Sequence, residues 1–475
     1  MDEDSGMAEL SPSQTFRIAI IGSGPSGFYA ADHLLKSGLP ISIDMFDRLP
    51  TPFGLVRGGV APDHQKIKSV TKVYDKIATS PAFRFFGHVE FGTDLSRDDL
   101  QAHYHAVIYA VGAQTDKALG IAGEELSGSH AATEFVAWYN GHPDYKHLSF
   151  DLSQERVAVI GVGNVAMDVA RILARTQEEL AQTDIADYAQ AALSQSKVRE
   201  IYVLGRRGAA QAAFTTPEIK ELGEMAGADI VILPEDVVLD DASKAYLASD
   251  KADAKDAKNV EIMREYSQRA PSGKPKRIIM RFCSSPVELL GTERVEGMKI
   301  VRNRLSLDAQ GNVKAQATEQ TEILPVGLVF RSVGYKGVAL PDVPFDAKQG
   351  TIPNDKGRVL LKQGGEVLCG DYVVGWIKRG PSGIIGTNKP DSIETANCLL
   401  EDLRAGMVWS PEHPEAHAIE DLLRERGVRS VSYAEWLKLD EIERQRGAEQ
   451  GRPRHKFTDI ASMLQALEAQ TQAGD

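Results

Sequence analysis

Cysteine is scarce: the chain has three in 475 residues, Cys283, Cys369 and Cys398, and no C-x-x-C pair. That spacing excludes a redox-active dithiol. Three thiolates also fall short of the four that cysteine-only ligation of an iron–sulfur cluster needs, so three buried free thiols are expected and no metal site is assigned. Any electrons leaving this chain must leave from a bound organic cofactor. Also missing is a run of about 20 apolar residues, the length of a membrane span. Positive charge is in deficit, with 54 Lys and Arg against 67 Asp and Glu and a formal net charge of −13, which is the reverse of a nucleic-acid binder's footprint. The first fifteen residues, MDEDSGMAELSPSQT, carry acids where a signal or transit peptide carries bases. A disordered tail is expected there, and a cytoplasmic address by default.

What is present begins at Phe16. The apolar run Phe16–Ile21 enters Gly22-Ser-Gly24-Pro-Ser26-Gly27, a helix is predicted from about Phe28 to Lys36, and a second strand, Ile41–Phe46, ends in Asp47. Strand, glycine turn, helix, strand and acid together make a dinucleotide-binding unit. The first glycine permits the turn, the second lets backbone approach a pyrophosphate, and the third lets helix and strand pack closely. Asp47, twenty residues after Gly27, can accept from a ribose. An irregular glycine-rich insert, residues 52–68, follows, and loops of that kind beside a nucleotide turn are often functional. The run Ala106–Val111 has the look of a buried parallel strand returning to the same site.

A second unit starts with Arg156–Ile160, Gly161-Val-Gly163-Asn164-Val165-Ala166 and a helix to about Arg175. Its next strand, Ile201–Leu204, ends in Gly205-Arg206-Arg207 where an acid would be expected. A carboxylate there repels a 2′-phosphate and guanidinium groups bind it, so NADP(H) is preferred over NAD(H). Residues 236–261, rich in Ala, Asp and Lys, are expected to be an exposed connection or surface helix. Trp436 is expected to anchor a helical, charged tail. A length of 475 residues suits two or three domains, and two nucleotide units facing across a cleft allow hydride to pass between their rings.

At this point the residues resemble a family. GSGPSGFYAA at 22–31, TPFGLVRGGVAPDHQKIK at 51–68, GVGNVAMDVARIL at 161–173, LGRRGAAQAAFTTPEIKEL at 204–222 and VVGWIKRGPSGIIGTNKPD at 373–391 are similar to the adrenodoxin-reductase-like ferredoxin–NADP+ reductases, above all the bacterial stand-alone members. The resemblance implies an α/β fold of two Rossmann-like domains, the NADP domain (118–339) inserted into the FAD domain (16–117 plus 340–475). It implies FAD contacts at Gly22, Gly24, Ser26, Gly27, Asp47 and Leu55, with Trp376, Gly383, Ile384 and Ile385 closing over the isoalloxazine. NADP contacts are implied at Gly163, Asn164, Val165, Arg206, Arg207, Glu218 and Gly383. Asp47 stands where many relatives carry Glu, and Gly58 where they carry bulkier residues, a change expected to loosen the loop near the flavin. Gly375-Trp376 is preferred to Cys369-Gly370-Asp371 as the flavin-side motif, with Asp371 as a turn residue.

The implied activity is hydride transfer from NADPH to FAD, then single-electron transfer to ferredoxin or a similar iron–sulfur protein, with flavodoxin an alternative acceptor and the reverse direction also open. Asp63-His64 is the candidate titrating pair, with Glu221 a further candidate near the nicotinamide. Asp168 is taken as an acid that complements its helix dipole. Docking of an acidic partner would need local basic clusters, for which Lys274, Lys276, Arg277 and Arg281, then Lys66, Lys68 and Lys72, and finally Lys378 and Arg379 are the candidates. The rival readings are a flavin monooxygenase and an electron-transfer subunit like the glutamate synthase small subunit. The sequence leaves monomer or dimer open.

Overall fold

The computed structural model describes residues 15–474, with side chains to 470; the tail expected at 1–15 falls, but for its last residue, outside them. Two parallel sheets form the frame. In the first, strands Val367–Val373, Ala106–Tyr109, Phe16–Ile21, Ile41–Asp47 and Phe83–Gly87 lie side by side in that order and run parallel. A short antiparallel hairpin, Asn354–Asp355 and Arg358–Leu360, extends its edge. All six residues of Phe16–Ile21 are buried, as for a strand covered on both faces, and the one charged member, Arg17, pairs with Asp44 at 2.5 Å.

The second sheet has six strands, all parallel, ordered Ser129–Ala131, Leu328–Arg331, Arg156–Ile160, Glu200–Leu204, Lys276–Arg281 and Ala228–Ile232. Beside it lies an antiparallel sheet of Ser284–Leu290, Gly297–Leu307 and Val313–Leu324. The chain passes between the two frames at Thr115–Asp116 and again at Tyr335–Lys336. These two crossings pair with each other as a two-stranded antiparallel ribbon.

Several local expectations change. The glycine-rich insert ends in a short helix, Gln65–Lys68, and a second helix, Thr71–Ala78, follows it. Residues 236–261 hold helices Asp241–Leu247 and Ala254–Ser267, and the second of these buries Val260, Ile262 and Met263. Asp371 is a buried strand residue, not a turn residue, because Arg97 binds it with two guanidinium nitrogens at 3.0 and 2.6 Å and Tyr109 donates to it at 2.9 Å. Of the three free thiols only Cys398 is buried; Cys283 is half-buried and Cys369 exposed. No helix among the described residues is long and apolar enough to cross a membrane.

The C-terminal segment returns between the two frames. Trp436 is buried in the first core. Lys456, its ammonium held well below its ordinary value by burial, donates to the Asn140 carbonyl at 3.0 Å and lies 3.5 Å from Asp184. Lys68 reaches both oxygens of the same Asp184 at 2.7 and 2.8 Å. The end of the insert at 52–68 is thus tied through Lys68 to Asp184 of the segment that carries the second frame.

Candidate functional site: two nucleotide turns and a charged junction

Each glycine turn has a physical reason. Gly22 sits at φ +103°, and a Cβ there would meet the Ala110 carbonyl oxygen at 2.6 Å. A Cβ on Gly27 would lie 2.6 Å from the Gly22 oxygen, which is the close helix–strand packing the third glycine provides. Gly24 has open space where its Cβ would be, and Gly54 packs against its Cα. Helix Pro25–Leu35 has no side-chain cap, so its first N–H groups are left for an anion. Asp47 accepts from the Ser23 N–H at 3.0 Å, the Ser23 hydroxyl at 2.5 Å and the Leu49 N–H at 3.0 Å. Burial nevertheless raises its carboxyl above the ordinary value.

Across the turn, Gly375 (φ +77°) lies so close to Ser26 that a Cβ would stand 2.3 Å from the Ser26 hydroxyl oxygen. The Gly375 N–H donates to Asp391 at 2.6 Å, and Lys378 holds that carboxylate at 3.1 Å. Trp376 donates to the Ser382 carbonyl at 3.3 Å and packs against Tyr335 with ring centres 5.2 Å apart. Gly383, at φ +81°, starts the turn through Ile384 and Ile385 into helix Asn388–Ala405. Leu55 and Ile384 leave aliphatic side chains 42% and 55% exposed, apolar surface available to a flat ring. A Cβ on Gly58 would meet the His142 ring at 3.3 Å, so glycine lets His142 pack close; the loop is tightened there rather than loosened.

In the second unit Gly161 (φ +133°) could not carry a Cβ, which would lie 2.2 Å from the Ser332 oxygen, while Gly163 is open. Helix Asn164–Ala174 also lacks a side-chain cap. Asn164 instead accepts from the Thr215 N–H at 2.9 Å, and Val165 follows it in the first turn. Arg206 and Arg207 are exposed and, among the described residues, their side chains have no hydrogen bond or ion pair. Burial and the neighbouring Arg206 lower the Arg207 pKa.

Between the turns lies a junction that the sequence hid. Arg171, fully buried, binds Asp63 (2.7 and 3.1 Å), Glu218 (2.8 Å) and Asp168 (2.5 Å). Arg175 binds Asp63 at 2.6 Å and Glu221 at 2.7 Å. His64 Nε2 lies 3.0 Å from Glu221, while its Nδ1 is 3.8 Å from Asp168 and 3.9 Å from Glu218. The Asp63-His64 pairing needs correcting. Burial would raise Asp63, but Arg171 and Arg175 hold it far below its ordinary value, so the titrating partner of His64 is Glu221. Asp168 is likewise more than a dipole complement, being a direct ligand of Arg171.

Burial acts to lower the His64 pKa, yet the Glu221 hydrogen bond leaves it raised; burial and Asp168 push Glu218 up to about 7. Both groups hold protons more tightly folded than unfolded. The stability they confer is full below each group's ordinary value and is lost as pH rises through its raised folded value. Melting temperature is expected to fall from about pH 4.5 to about pH 7 through Glu218, with His64 adding a further fall above pH 6.5, and Glu218→Gln is expected to flatten the slope below pH 7. An identical slope in the variant refutes the assignment.

The basic docking clusters do not survive as drawn. Lys274 and Lys276 donate inward to the carbonyls of Met225 and Leu173, at 2.6 and 2.7 Å. Arg277 pairs with Glu200 and Arg281 with Glu322. Lys68 is tied to Asp184, Lys378 to Asp391 and Glu394, and Arg379 to Asn388 at 2.7 Å. Only Lys66 and Lys72 remain exposed with no ion pair among the described residues.

A family model described as pyridine nucleotide-disulphide oxidoreductase matches residues 16–203. The fold and its paired nucleotide turns define an oxidoreductase that holds FAD and NADP(H). The NADPH-ferredoxin reductase FprA of Mycobacterium tuberculosis (strain ATCC 25618 / H37Rv) is 46% identical over 460 residues, covering 94% of this chain and 98% of that one. The mitochondrial NADPH:adrenodoxin oxidoreductase of Arabidopsis thaliana is 39% identical, covering 96% of both. The solved structure of M. tuberculosis FprA in complex with NADPH matches with a TM-score of 0.90 at 44% identity, covering 96% of this chain and 100% of that one. The chain belongs to the adrenodoxin-reductase-like family of NADPH–ferredoxin reductases.

Proposed function

We propose that this chain takes hydride from NADPH and delivers electrons singly to a small iron–sulfur protein of the ferredoxin class. FAD, when bound, supplies the two-electron store that makes the exchange of one hydride for two single electrons possible. We divide the chain near the ribbon of crossings, with 16–117 plus 340–475 holding FAD and 118–339 holding NADP(H).

The carrying observation is the junction itself. The flavin-side segment inserts Asp63 and His64 directly among Arg171, Arg175 and Glu221 of the nucleotide-side helices. In this reading Gly22, Gly24, Ser26 and Gly27 seat the FAD pyrophosphate end, Asp47 takes its ribose, and Leu55, Trp376 and Gly383–Ile385 enclose the ring. Gly163, Asn164 and Val165 offer backbone to the NADPH pyrophosphate, Arg206 and Arg207 take the 2′-phosphate, and Glu218 and Gly383 line the nucleotide path. His64 and Glu221 form the polar edge nearest the reacting rings; Asp63 holds His64 in place through Arg171.

Purified protein is expected to reduce cytochrome c with NADPH only when ferredoxin is added. Ferredoxin-independent turnover coupled to substrate oxygenation would instead identify a monooxygenase. His64→Gln is expected to retain FAD and to slow flavin reduction about tenfold in stopped flow, as for loss of one positioning hydrogen bond. Rates equal to the wild type across neutral pH would leave His64 a packing role.

A further inference from the structure

We propose that Asn303, on the three-stranded sheet, is a positioning residue for nucleotide choice, holding the Gly205–Gly208 turn so that Arg206 and Arg207 stay aimed at one phosphate. The inference rests on reading that arginine pair as the 2′-phosphate site.

The turn is tied down through its backbone at every residue. The Gly205 N–H donates to the Arg281 carbonyl at 2.8 Å, and the Gly205 carbonyl accepts from the Ser284 N–H at 2.9 Å. The Arg207 carbonyl accepts from the Cys283 N–H at 2.9 Å, and the Gly208 N–H donates to Gln211 at 3.1 Å. The Arg206 carbonyl is held by a side chain from the neighbouring sheet: Asn303 Nδ2 donates to it at 2.8 Å. The same nitrogen donates to the Ser285 hydroxyl oxygen at 2.7 Å, and the Asn303 N–H donates to the Cys283 carbonyl at 2.7 Å. Asn303 is 7% exposed, so its amide has no ready exchange with water. Cys283, in the left-handed region at φ +49°, turns the chain back toward Arg207.

The physical need is plain. Two neighbouring guanidinium groups without counter-ions repel, and a slack turn would let them separate. Fixing the backbone while leaving both side chains unpartnered keeps the like charges together until a dianion arrives, which lowers the ordering cost of binding.

The test uses the FAD-loaded protein and two probes, 2′,5′-ADP and 5′-ADP, in titration calorimetry. Asn303→Leu is expected to weaken 2′,5′-ADP about tenfold, the scale of one lost buried hydrogen bond, and to leave 5′-ADP within about twofold. KM for NADPH is expected to rise with kcat unchanged. In an Arg206→Ala background the Asn303→Leu effect is expected to shrink, since part of it acts through Arg206. Ser285→Ala, a milder change that frees the Asn303 amide, is expected to shift 2′,5′-ADP alone in the same direction, and it decides the matter if Asn303→Leu does not fold. Equal weakening of both probes, no weakening of either, or full additivity with Arg206→Ala overturns the proposal. If Arg206→Ala itself leaves 2′,5′-ADP binding unchanged, the phosphate reading fails and takes this inference with it.

Discussion

Alanine at both Arg206 and Arg207 is expected to raise the dissociation constant for NADPH by about 150- to 1,000-fold while changing that for NADH little. Charge-assisted hydrogen bonds contribute roughly 1.5–3 kcal/mol each, and the exposure of both groups puts the pair toward the low end of the sum. The asymmetry follows from the absence of any other partner for these two side chains among the described residues. Removing them disturbs no ion pair, so the loss should appear only where a 2′-phosphate is present. The advantage for NADPH should also shrink as salt is added. Equal losses for the two nucleotides would show that the arginines do not read the phosphate.

A second large effect is expected at Arg171. Replacing it with methionine keeps much of the volume but leaves Asp63, Asp168 and Glu218 buried beside one another with their shared cation gone. Truncating one partner of a buried ion pair typically costs about 3–5 kcal/mol, and here three carboxylates lose a common partner. At about 1 °C per kcal/mol for a chain of this size, a drop in melting temperature of roughly 3–5 °C is expected. The deficit should shrink in acid, where the carboxyls can be neutralised. A melting temperature within a degree or so of the wild type would mean that the junction contributes nothing to the fold.

The two nucleotide turns were legible because their chemistry is local. A tight turn, a helix start and the end of the next strand fall within residues 22–47 in the first unit and 161–204 in the second, and Gly22, Gly27 and Gly161 each answer a contact that a Cβ would violate. The charged junction was not legible, since its members come from positions 63–64, 168–175 and 218–221, and only the packing of a loop onto two helices brings them together. Asp168, Arg171 and Arg175 do recur at helical spacing, a signal that one helix face carries charge; nothing in the sequence says that this face is buried. The three-stranded sheet escaped for a different reason. Residues 317–323 of Val313–Leu324 are exposed on both faces, so no alternation of apolar and polar side chains exists to betray a strand. The basic clusters misled because nearness along a strand is not nearness in space. Lys276 and Arg281 sit at opposite ends of one strand.

The ribbon in which Tyr335 pairs with Asp116 and Lys336 with Thr115 has a consequence for how such a chain could be remodelled. The segment between the crossings leaves and rejoins the rest at adjacent points, so it has the geometry of an exchangeable cassette, whose ends a few residues could bridge. Exchange would not be free of conditions. Lys68 and Lys456 belong to the part left behind, and both lean on Asp184 of the part removed. A foreign module that fits the ribbon but offers no carboxylate at that place would leave Lys68 and Lys456 without their shared acid, just as one without Arg171 would leave Asp63 without its cation, so compatibility between modules is set by the charges at these two contacts.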